Sequence, residues 1–134
     1  MPENAAADVH APKPTDAELA ILQVLWDRGP CTVRQVHERL RHARGTGYTT
    51  VLKLMQIMAE KGLVHRDESQ RSHVYRAAVA REHAQARLVG DLLDKAFGGS
   101  AARLVMSALS HKPASKEEID QIRQLLNRLQ GGEP

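Results

Sequence analysis

Aromatic side chains are scarce in this chain, with one Trp, two Tyr and one Phe among 134 residues. A core built from it has to be aliphatic and methionine-based. Cysteine is scarcer still: Cys31 stands alone. That excludes an intrachain disulfide framework and a CxxC zinc knuckle, and it makes a reducing cytosol the expected compartment. No apolar run approaches the roughly 20 residues that cross a bilayer. The opening MPENAAADVHAPKPTD has neither the basic nor the apolar region of a signal peptide. It is rich in Ala and Pro and reads as a disordered tail over residues 1–14. There is no Gly-rich phosphate loop, nucleophile elbow or HExxH, and Ser, His and Asp occur without a catalytic context, so an enzyme is not expected.

What the chain does have is positive charge in one place. The net charge is +3 and the sequence pI about 9.3. Residues 31–76 hold nine Lys and Arg against four Asp and Glu, a net of +5, which leaves −2 for the rest. An acidic partner is expected to meet that middle segment.

The hydrophobic spacing spells elements in a definite order. TDAELAILQVLWD (15–27) opens with Thr15 and Glu18 at capping-box spacing and carries a broad apolar face. Arg28-Gly29-Pro30 ends that helix, and Cys31 falls in a short link, an extended pair of residues at most. Thr32 with Gln35 opens a second helix whose Val33, Val36 and Leu40 form a thin stripe. The glycine-containing loop RHARGTG (41–47) leads to a third helix, Tyr48 to Lys61, with Val51, Leu54, Met55, Met58 and Ala59 on one face and Gly62 after its end. Leu63–Arg66 and Ser72–Ala77 alternate around a polar tip and predict a β-hairpin. Residues 15–77 therefore read as a winged helix-turn-helix. Three further helical stretches follow in 78–134, the last with Ser115 and Glu118 at capping spacing. Leu88, Leu92, Leu93, Phe97, Leu104, Leu109, Ile119, Ile122, Leu126 and Leu129 form apolar stripes too small to close a core alone. A second copy of the chain is the expected cover, so 78–134 reads as a helical dimerisation module. The fold class is mainly α with a small β-hairpin.

The start of the third helix is odd: Gly47, Tyr48, Thr49 and Thr50 are mediocre or poor helix formers. The threonines either cap the helix locally or face a ligand. In a winged helix this end points at DNA. There a threonine hydroxyl bonds a base edge or phosphate, and its methyl meets a thymine methyl. Tyr48, Thr49, Thr50, Lys53 and Gln56 are the expected base-reading set. Thr32, Arg34 and Gln35, at the start of the second helix, and Arg66, Arg71 and His73, on the hairpin, are expected at the backbone. The seven histidines include no pair at i, i+4, so no metal set is assigned and no cofactor is expected. Cys31 reads as a small buried apolar residue. A metal-sensing repressor working through histidines, or a winged helix used for protein contact, are the alternatives.

PTDAELAILQVLW, TVRQVHERL, YTTVLKLMQIMAEKGLV and RDESQRSHVYRA together resemble the BlaI/MecI penicillinase-repressor family, whose other branch comprises the CopY repressors. The resemblance implies a homodimeric winged-helix repressor that places its third helix in the major groove of a palindromic operator. It also implies a membrane-embedded zinc-protease sensor as partner, whose signal leads to cleavage of the repressor and induction of β-lactam-resistance genes. Two features depart from the pattern. Staphylococcal members are cut at an Asn-Phe bond; the matching position here is Ser107-Ala108, and no Asn-Phe occurs in the chain. The copper branch ends in clustered cysteines, and none follows Cys31.

Overall fold

A computed structural model describes residues 13–131. Residues 1–12 of the expected tail lie outside the described residues. Helix α1 (Asp16–Arg28) starts at a capping box: Thr15 Oγ1 accepts from the Glu18 amide at 3.2 Å, and Glu18 Oε1 accepts from the Thr15 amide at 3.0 Å. Strand β1 (Cys31–Thr32) leads into α2 (Val33–Arg44), which repeats the device with Thr32 and Gln35 at 3.2 and 2.9 Å. Helix α3 (Tyr48–Lys61) stops at Gly62, whose φ of +85° is the left-handed conformation that favours glycine. Strands β2 (Val64–Asp67) and β3 (Val74–Ala77) follow, then α4 (Arg81–Ala96), α5 (Ala101–His111) and α6 (Lys116–Gly131).

The expected hairpin is present, in the register Val64↔Ala77, His65↔Arg76, Arg66↔Tyr75 and Asp67↔Val74. The link at Cys31–Thr32 adds a third strand, pairing antiparallel with Tyr75 and Val74 to give the order β1-β3-β2. The core beneath is aliphatic and methionine-based, as the composition requires. Ile21, Leu22, Val36, Val51, Met55 and Met58 are fully buried, and Leu63, Val64 and Tyr75 nearly so. Cys31 is buried among them. Burial raises its thiol pKa, against the lowering charges of Arg28 and Arg39, so the neutral thiol dominates at neutral pH.

Among the described residues one buried residue is charged. Glu18 is 2% exposed, and Lys61 Nζ lies 2.8 and 3.1 Å from its two carboxylate oxygens. Burial pushes its pKa up; the hydrogen bonds from Lys61 and Thr15 and the Lys61 charge outweigh that and leave it below the ordinary carboxylate value.

The chain divides into two compact units after Arg87. Packing in the first therefore runs past Ala77, where the hairpin ends. Val79 is buried, and its carbonyl accepts from Trp26 Nε1 at 3.0 Å. Arg81 pairs with Asp27, and its guanidinium lies 5.8 Å from the Trp26 ring centre. In the second unit α5 begins at a Ser100 cap and α6 at the expected Ser115–Glu118 box. No residue of α4, α5 or α6 is buried.

Candidate nucleic-acid interface

Helix α3 starts differently from four of the other helices. Thr15, Thr32, Ser100 and Ser115 each cap a helix with a side-chain oxygen. The N-cap of α3 is Gly47, with no side-chain hydrogen bond, and its first turn holds no acidic residue. Neither Thr49 nor Thr50 serves as the N-cap. The first intrahelical bond runs from the Val51 amide to the Gly47 carbonyl at 3.1 Å. The amides of Tyr48, Thr49 and Thr50 therefore have no partner within the helix, and no carboxylate of its own first turn offsets the positive end of its dipole. Such an end suits an anion.

Thr49, Thr50, Lys53 and Gln56 are exposed on this helix, while Val51, Met55 and Met58 are buried on the other side. Tyr48 is 43% exposed but held in place: its ring meets that of His37 on α2 edge to face, with centroids 5.7 Å apart at 83°. The sequence pattern gave no sign of this contact.

The start of α3 opens onto a groove of about 440 Å³. Its walls are Thr32, Val33 and Arg34 from the β1–α2 corner, Tyr48, Leu52 and Gln56 from α3, and Arg66, Arg71, Ser72, His73 and Tyr75 from the hairpin. Seven of the expected contact residues thus meet here. Thr49, Thr50 and Lys53 lie outside the groove lining, exposed on the same helix; Gln35 sits beside it in the α2 capping box. Val33, Leu52, Ser72 and Tyr75 were not foreseen. Ser72 lies between two residues that were, and Tyr75 enters because Arg66 is its cross-strand partner.

A profile of the family described as Penicillinase repressor matches residues 14–128. This chain belongs to the penicillinase repressor family. It is 36% identical over 120 residues to the transcriptional regulator BlaI of Mycobacterium tuberculosis, covering 87% of this chain and 85% of that one. The penicillinase repressor of Staphylococcus aureus is 18% identical over 111 residues, 83% of this chain and 88% of its own length. Among solved structures, the solution structure of the DNA binding domain of the repressor BlaI matches with a TM-score of 0.49 and 20% identity, over 55% of this chain and 89% of that chain.

In this penicillinase-repressor relative the groove is cationic. Arg34, Arg66 and Arg71 line it, with His73 beside them. A hydrogen bond with Tyr75 and, next, the charge of Glu68 raise the Arg66 pKa further, so this guanidinium stays protonated. Glu68 Oε2 lies 2.7 Å from Arg66 Nε. Asp67, next to it, accepts from the Ser69 amide at 2.9 Å, and that bond lowers its pKa.

The second unit exposes apolar surface. Leu88, Leu93, Phe97, Leu104, Leu109, Ile119 and Ile122 are half-buried. Leu92, Leu126 and Leu129 are exposed, at 46, 54 and 70%. Val89, Val105, Met106 and Leu125 are exposed as well and were not among the expected set. Among the described residues no group of three or more His, Cys, Asp or Glu is placed to hold a metal ion. No helix among them is long and apolar enough to cross a membrane.

Proposed function

We propose that this protein is a transcriptional repressor that binds a palindromic operator as a homodimer. One observation carries the reading: an uncapped helix start and three arginines, one each from α2, strand β2 and the hairpin tip, converge on a single groove. Phosphate is the anion that suits both features. The names of the relatives, transcriptional regulator and penicillinase repressor, agree with it.

In this mechanism α3 enters the major groove. Thr49, Thr50 and Lys53 read base edges, with Tyr48 and Gln56 at their flank. Thr32, Arg34 and Gln35 grip the backbone on one side, and Arg66, Arg71 and His73 on the other. The segment up to Arg87 reads DNA, and the helices beyond it hold two copies together. Two half-sites bound at once hold far better than one, so occupancy blocks polymerase. Anything that separates the copies releases the operator. Proteolysis set off by a membrane-embedded zinc-protease sensor is one such signal, but without an Asn-Phe bond the cut falls at another sequence. The regulated genes are then those of β-lactam resistance or a related stress response, and the protein acts in the cytoplasm.

The test is selection of bound sequences from a random duplex pool with purified protein. The expected product is a two-fold symmetric motif with half-sites one turn apart, roughly 34 Å. No enrichment from a folded dimer at low salt would overturn the reading.

A further inference from the structure

We infer that Glu68 competes with DNA phosphate for Arg66 and so restrains the protein's grip on the DNA backbone; the inference rests on the DNA-binding reading above. Arg66 faces Tyr75 across the β2–β3 ladder, and both line the cationic groove. Two residues along the chain, Glu68 meets it at 2.7 Å. The turn is set by Asp67, whose carboxylate accepts from the Ser69 amide at 2.9 Å and bends the chain at Glu68. A carboxylate and a phosphate are alternative partners for one guanidinium, each using charge-assisted hydrogen bonds. Arg66 held by Glu68 is a cation subtracted from the groove. Both side chains are substantially exposed, at 35 and 55%, so removal of Glu68 leaves no buried charge behind and does not threaten the fold. Arg66 then becomes available to the backbone, and one phosphate more is neutralised on any sequence.

The experiment titrates wild type, E68Q, R66Q and the double variant against a random-sequence duplex and the selected operator at several salt concentrations. E68Q is expected to bind both duplexes more tightly, by about two- to fivefold, the range that exposed ion pairs span. Its plot of log affinity against log salt is expected to steepen by roughly 0.9, the slope for one extra phosphate contact. R66Q is expected to gain nothing from the second substitution. Unchanged or weaker binding by E68Q would overturn the inference, and so would a gain that persists in full on the R66Q background. Wild type that fails to bind any duplex at low salt would overturn the DNA-binding reading itself, a result distinct from either.

Discussion

The side chain of Lys61, in the last turn of α3, closes on Glu18, in the first turn of α1, with Nζ 2.8 and 3.1 Å from the two carboxylate oxygens. One of those oxygens also accepts from the Thr15 amide at 3.0 Å. A single carboxylate therefore caps one helix and anchors the far end of the helix proposed to read DNA.

Breaking that pair from the Lys61 side leaves a buried carboxylate without its cation. Lys61→Met is expected to lower stability by about 1–3 kcal/mol at neutral pH. The folded-state pKa of Glu18 is depressed, so its contribution is present above the ordinary carboxylate value of 4.5 and is lost as pH falls through the lower folded value. Urea unfolding at pH 7 and near pH 3 checks this: the gap between wild type and variant should shrink in acid. A gap equal at both values would assign the loss to packing of the lysine stem.

Gly47 offers a way to separate folding from binding. Its backbone is in the extended region, and a Cβ there would meet nothing within 4 Å. Gly47→Asp and Gly47→Ser are both expected to hold or raise thermal stability, by a few tenths of a kcal/mol, because both side chains cap. Only the aspartate places a negative charge where phosphate is expected, so only it should weaken operator binding. Melting curves and DNA titrations of the two variants give the answer. Equal affinities would move the start of α3 away from the backbone.

Thr49→Ala and Thr50→Ala are expected to cost about 1–3 kcal/mol on the operator and far less on random duplex. Lys53→Ala should weaken operator binding and leave the dimer intact. Competition binding with both duplexes distinguishes base reading from backbone positioning; equal losses on the two would reassign the threonines to the latter.

Local signals were the legible ones. The boxes at Thr15, Thr32 and Ser115 and the stop at Gly62 depend on residues within a few positions of each other. So do the hairpin and the exposed face of α3. The partners that neighbours in sequence do not specify were missed. Pairing of Cys31 with Tyr75, the approach of His37 to Tyr48, and Lys61 on Glu18 all join separate elements. Each follows only from how the helices and strands pack together. The change from hairpin to helical stretches after Ala77 was legible, but the hold of Trp26 on Val79 was not, because an indole N–H gives no hint of which distant carbonyl it will find.

A chain ending at Arg87 keeps Val79 and Arg81, which pack on α1, and loses α5, α6 and most of the apolar surface of α4. It is expected to fold, to sediment as a monomer and to bind a single half-site weakly, while the full chain sediments as a dimer. A truncated chain that stays dimeric would place the interface in the first unit.

Trp26 is the chain's one tryptophan, and its indole is engaged at the point where α4 begins, with its N–H on the Val79 carbonyl and Arg81 near its ring. Its fluorescence therefore comes from a single joint, with no background from other indoles. Loosening there shifts the emission to longer wavelength and opens the ring to quenchers. The protein thus carries an optical gauge, readable without a label, of whether the start of α4 remains seated when DNA, an inducer or a protease is added.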